Sequence, residues 1–100
     1  MIIVSVLYPA HMYARFDLVY YREEHLPLVR RLLETCGLLE LTWFVPIGPD
    51  ASFRLIAELR FATMTHAEQA LRAHGPQTQA DIVNFTDILP IVVMGEAIAA

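Results

Sequence analysis

Apolar positions along the chain follow two rhythms, and the points where one gives way to the other mark its elements. Met1 to Tyr8 is a run of β-branched and apolar residues ended by Pro9, which predicts a strand. After a loop from Ala10 to Phe16, Asp17 has the chemistry of a helix N-cap. From there Leu18, Tyr21, His25, Leu28, Val29, Leu32 and Cys36 recur at three- and four-residue steps, one stripe of a helix that Gly37 ends. Pro27 lies inside that helix. It lacks a backbone donor and crowds the Glu23 carbonyl, so the reading predicts a kink. Leu41 to Ile47 alternates as a strand, Gly48-Pro49-Asp50 makes a turn, and Phe53 to Phe61 alternates strictly, completing a hairpin. Thr65-His66-Ala67-Glu68 reads as a capping box opening a second helix that closes at His74-Gly75-Pro76. Gln77 to Asn84 reads as irregular or a last helical turn, and Ile88 to Ile98 as the final strand.

The order is β-α-β-β-α-β, one α+β domain over residues 1–100 with no linker or repeat. With right-handed crossovers, that order gives the ferredoxin-like arrangement: a four-stranded antiparallel sheet with two helices on one face. Two helices cover only one face of such a sheet. Yet Leu89, Ile91 and Val93 oppose Ile88, Val92 and Met94 in the last strand, and Val4, Val6 and Tyr8 oppose Ile3 and Leu7 in the first. Strands apolar on both sides need both sides covered.

Composition sharpens the point. Apolar residues make up 56% of the chain and charged residues 18%, and the mean hydropathy is +0.45, against roughly 45–50% and about 25% in average soluble domains. The run Ile88 to Gly95 is too short to span a bilayer and contains Pro90, and Met1 to Tyr8 lacks the charged start of a signal peptide. A second copy packed on the open sheet face, making a homodimer, is the expected cover. The net charge is −4, with no basic stripe, which argues against nucleic acid. A single cysteine, Cys36, makes a reducing, cytoplasmic compartment the expectation and excludes an internal disulfide.

The inner stripe of the first helix carries the one group suited to proton transfer near neutral pH, His25, with Tyr21 one turn before it. A buried imidazole needs partners for its nitrogens, and a purely structural histidine bonded near Pro27 satisfies the same pattern. Asn84-Phe85-Thr86-Asp87 enters the last strand. Asp87 or Asn84 is expected to orient the imidazole, the alternative being turn chemistry with local backbone. Tyr8, Tyr20, Trp43, Asn84 and Phe85 complete the set expected to touch a ligand. No phosphate-binding glycine loop, nucleophile elbow or His-x-x-x-His pair is present, so neither cofactor nor metal is expected.

Several segments together resemble the EthD family: Val4-Ser5-Val6-Leu7-Tyr8-Pro9, Ala14-Arg15-Phe16-Asp17, Tyr20-Tyr21, His25-Leu26-Pro27-Leu28-Val29, and the run from Ala80 to Pro90 containing Asn-Phe-Thr-Asp. The likeness spans nearly the whole chain. It departs at Tyr13, where glycine is common, and at Val83, where proline is usual. The resemblance implies a dimeric α/β barrel with its site at His25 and the neighbouring tyrosines. Similar barrels include cofactor-free monooxygenases, polyketide cyclases, lactone isomerases and some haem-binding enzymes, so the fold alone selects no reaction. The leading expectation is a cofactor-independent enzyme or accessory protein acting on a small apolar organic molecule, with His25 as general acid/base, Tyr21 positioning the substrate and Asp87 or Asn84 orienting the imidazole. The alternative is a non-catalytic ligand-binding or structural partner of a larger enzyme.

Overall fold

The computed structural model describes residues 1–100. Four strands, β1 (Ile2–Pro9), β2 (Leu38–Phe44), β3 (Phe53–Phe61) and β4 (Ile91–Glu96), form one sheet in the order β2-β3-β1-β4. Every neighbouring pair is antiparallel. Between β1 and β2 lie α1 (Leu18–Tyr20), a π-helical turn (Tyr21–His25) and α2 (Leu26–Glu34). Between β3 and β4 lies α3 (Met64–Ala80), followed by a 3-10 turn at Ile82–Asn84. This is the ferredoxin-like architecture, and the strict alternation of β3 explains its polarity. Leu55, Ala57, Leu59 and Phe61 are buried beneath the helices, with Val4 and Tyr8 beside them on β1.

The predicted kink at Pro27 takes the form of a π-turn. Leu26 donates its backbone N–H to the Tyr21 carbonyl five residues back, and Pro27 falls in the first turn of α2, where its missing donor is harmless. The extra residue rotates the buried stripe. After Tyr21 and His25 the core side chains are Leu26, Val29 and Leu33, not the full heptad of positions read from the sequence, and Leu28 and Leu32 are only partly buried.

Other boundaries moved for local reasons. Gly37, at φ +95°, turns the chain straight into β2, which therefore begins at Leu38, before the predicted Leu41. The strand ends at Phe44, ahead of Pro46, which has no N–H for a ladder. The helix α3 starts from Thr63 rather than Thr65. The Thr63 hydroxyl accepts the His66 backbone N–H at 3.2 Å, so the capping function sits two residues earlier than predicted. The same helix continues through Pro76 to Ala80, whereas the sequence pattern stops it at His74-Gly75-Pro76. Thr78 there donates its hydroxyl to the His74 and Gly75 carbonyls, which lie next to the ring that lacks a donor. Lastly, β4 starts only after Pro90, leaving Ile88 buried outside the strand and Leu89 exposed.

Beneath the helices β1, β2 and β3 are covered, whereas β4 stays open on this side as well, with Val92 and Met94 exposed. On the far face of the sheet Phe44, Ile91 and Val93 are each about half exposed, near Ile3, Leu7 and Ile56. No helix is long and apolar enough to cross a membrane.

Candidate functional site

The π-turn is where chemistry enters the fold. A π-turn widens the backbone ring by one residue and is often met at functional sites. Here it places Tyr21 and His25 one above the other, rings stacked at 5.5 Å and 25°. Both are buried, at 1% and 5% exposure. Phe85 closes on the imidazole from another side at 4.5 Å and also meets Tyr21, Tyr8 and Phe16, so the ring is gripped by aromatic faces.

Its partner is Asp81, the residue that caps the C-terminal end of α3. His25 Nδ1 lies 2.8 Å from Asp81 Oδ2, and the side chains are 6% and 14% exposed. The other carboxylate oxygen, Oδ1, accepts from the Tyr20 hydroxyl at 2.8 Å and from the Asn84 amide at 2.9 Å. Burial of the carboxyl would raise its pKa. The bonds from Asn84, His25 and Tyr20, with the His25 charge, outweigh that and hold it below its usual range. An ionised carboxylate only accepts, so Nδ1 carries the proton and Nε2 keeps a free lone pair. Burial lowers the His25 pKa from its ordinary 6.5, against the opposing hydrogen bond and charge of Asp81. The imidazole is therefore neutral at pH 7, with one nitrogen tied down and the other basic.

That second nitrogen is near open space. A cavity of about 270 Å³ lies between the helices and the sheet, lined by 19 residues that include His25, Tyr8 and Tyr21. Most of the wall is aliphatic: Val4, Val6, Val29, Leu33 and Leu59 are representative. The Tyr8 and Tyr21 side chains have no hydrogen bond to the protein, and no fully occluded side-chain nitrogen or oxygen lacks a partner. Their hydroxyls therefore open toward this cavity. Burial pushes the pKa of both phenols up, and for Tyr21 the nearby Tyr8 adds to the shift, so both stay protonated donors.

The expected residues sort into two groups. His25, Tyr21 and Tyr8 line the cavity. Tyr20, Asn84 and Phe85 stand behind it, the first two holding Asp81 and the third packing against the imidazole. Trp43 meets Tyr21 edge-on at 5.5 Å but is not in the cavity wall. Asp87, expected to orient His25, does not reach it. Its carboxylate accepts the Arg15 backbone N–H at 3.0 Å, while the Arg15 guanidinium donates to the Val83 carbonyl at 2.8 Å. Thr86 adds a 2.6 Å bond to the Arg15 carbonyl, so Asn-Phe-Thr-Asp pins the loop after β1 onto the segment before β4. Asp87 thus bonds backbone, but across 72 residues rather than in the local turn held as the alternative. Sequence reasoning passed over Asp81, because the pattern closes the second helix at His74-Gly75-Pro76; only with α3 extended to Ala80 does an acid at its C-terminus, opposing the macrodipole, call for another partner.

The comparisons with known proteins agree with the fold. No family model matches the chain, and no curated protein sequence matches it. Among solved structures, an EthD-like protein from Ralstonia eutropha JMP134 superposes with TM-score 0.84 at 28% identity, covering 98% of this chain and 92% of that one. An EthD family protein from Bacillus halodurans C-125 gives 0.77 at 23% identity, covering 98% and 99%. SnoaB, a cofactor-independent oxygenase from Streptomyces nogalater, gives 0.65 at 10% identity, covering 99% and 93%.

Proposed function

We propose, taking as premise that the chain is EthD-like over its whole length, that it acts on a small, mostly apolar organic molecule held between the helices and the sheet. His25 Nε2 is the general base and then the general acid. Asp81 keeps the imidazole in the required tautomer, and Tyr21 and Tyr8 position the substrate. Proton transfer of this kind needs no cofactor. The observation that carries the proposal is the asymmetry of the imidazole: Nδ1 held at 2.8 Å by a partly buried carboxylate, Nε2 unpartnered beside a cavity of about 270 Å³. A histidine kept only for packing has no need of a cavity at its second nitrogen.

The working form we infer is a homodimer joined through the far sheet face, where Phe44, Ile91 and Val93 would otherwise stay half exposed. A panel of uncharged apolar compounds screened by NMR tests the site. Binders should shift the Tyr21 and His25 resonances, and His25→Ala should abolish their conversion while retaining binding. Conversion that survives in His25→Ala would refute the assignment. Binders returned chemically unchanged by the wild type would make the protein a ligand carrier instead.

A further inference from the structure

The cavity wall limits what the base can act upon. None of its 19 lining residues is an Asp, Glu, Arg or Lys, and His25 is its single basic group. A carboxylate or phosphate entering there would lose its hydration without meeting a counter-charge. Size gives a second guide, to the part of a molecule that this partly open cavity can enclose. At liquid water's share of about 30 Å³ per molecule, a volume near 270 Å³ holds on the order of ten non-hydrogen atoms. The third guide is polar. Tyr8 and Tyr21 are packed ring to ring at 6.1 Å, and each offers a phenolic O–H that the protein leaves without an acceptor. Two donors opening into the cavity beside a base suit an oxygen that accepts both bonds and gains negative charge as a neighbouring proton leaves.

From these three guides we infer that the substrate is an uncharged, enolisable carbonyl compound with about ten non-hydrogen atoms enclosed, its oxygen held by the Tyr8 and Tyr21 hydroxyls and its α-proton removed by His25. In this step Nε2 takes the proton from the carbon next to the carbonyl. The C–H pair becomes the C=C bond, and the carbonyl π pair moves onto oxygen. The resulting enolate is held by two O–H donors, and the imidazolium beside Asp81 returns a proton to carbon. Atoms and electrons balance with no oxidant. The inference rests on His25 being the base, and the test separates the two.

The probe is 2-indanone, of suitable size and uncharged, incubated with the protein in D₂O while NMR follows loss of its α-protons. The wild type should accelerate the exchange with saturation. Tyr8→Phe and Tyr21→Phe, folded by circular dichroism, should each lower kcat at least tenfold with little change in KM, since the bonds strengthen as charge develops. Indane-2-carboxylate should inhibit at least a hundredfold more weakly than 2-indanone binds. Exchange that needs His25 but runs at full rate in both Tyr→Phe variants overturns the carbonyl clamp and leaves the base assignment standing. Exchange undiminished in His25→Ala overturns the base assignment. No saturable exchange, or equal affinity for the carboxylate, overturns the substrate class. If a tyrosine variant does not fold, the wild type's preference between the two probes decides.

Discussion

Replacing Asp81 by Asn alters the site in a way the geometry specifies. The carboxylate accepts from three donors: His25, Tyr20 and Asn84. An asparagine of the same shape has one acceptor oxygen. If that oxygen stays with Tyr20 and Asn84, the amide NH₂ faces His25 Nδ1, which must then accept. The imidazole proton moves to Nε2, and the nitrogen beside the cavity becomes a donor with no basic lone pair. Hydrogen bonds to charged groups contribute about 1.5–3 kcal/mol, and both side chains are mostly buried, at 6% and 14% exposure. Asp81→Asn should therefore cost about 1–3 kcal/mol of stability. It should also lower the His25 pKa further, because the Asp81 charge and bond are what oppose the effect of burial. Catalysis should fall by roughly 10²- to 10⁴-fold, the upper value being that of an orienting Asp changed to Asn in a Ser-His-Asp triad. Long-range ¹H–¹⁵N correlation of the imidazole reads the tautomer directly. A wild-type His25 protonated on Nε2, or an Asp81→Asn variant with unchanged tautomer and a raised pKa, would refute the reasoning.

Acid should weaken the fold in two stages. His25 has a folded pKa below its ordinary 6.5, so the unfolded chain takes that proton first. Stability is complete above about pH 6.5 and falls below it, by at most about 1.4 kcal/mol per pH unit, until the folded pKa is passed. The Asp81 contribution, from a pKa held below 3.8, remains until the pH falls through that lower range. Urea unfolding at a series of pH values should show the first decline in the wild type and a flatter profile in His25→Gln; equal slopes would count against a buried, neutral imidazole. Val93, on the far sheet face opposite Ser5, should tolerate no charge at a dimer interface. Val93→Glu should sediment as a monomer and the wild type as a dimer, and a wild-type monomer would remove the interface. Gly37→Ala combines φ +95° with a Cβ placed 2.9 Å from His66 Cδ2. It should cost about 1–3 kcal/mol in chemical denaturation, and a neutral result would mean the α2–α3 corner is looser than described.

The fold was legible because burial follows period. Phe53 to Phe61 alternates in sequence and in burial alike, and the β-α-β-β-α-β order leaves few topologies. What could not be read were the places where one residue changes the register. The π-turn shifts the core from Leu28 and Leu32 to Leu26 and Leu33, a difference that a 3.6-residue template cannot anticipate. Pro76 misled for another reason: the pattern treats it as a stop, whereas α3 runs on to Ala80 with the Thr78 hydroxyl bonded to the His74 and Gly75 carbonyls.

The site was half legible for a related reason. His25 and Tyr21 lie on one helical face, so spacing brings them together. Asp81 reaches His25 from another element, 56 residues later, and only because α3 outruns its proline to end beside the imidazole. The tail of that same segment explains Asp87, which the chain places beyond Phe85 and against Arg15, away from the imidazole. Tyr13, the departure from the EthD pattern, adopts φ +67°, the left-handed conformation that glycine holds at least cost.

A crystal structure of the wild type soaked with 2-indanone tests the central claim most directly. The account predicts the molecule lodged between α2, α3 and the sheet, its α-carbon beside His25 Nε2 while Nδ1 stays on Asp81. A cavity filled by its own side chains, or an imidazole turned away with Asp81 bonded elsewhere, would contradict it.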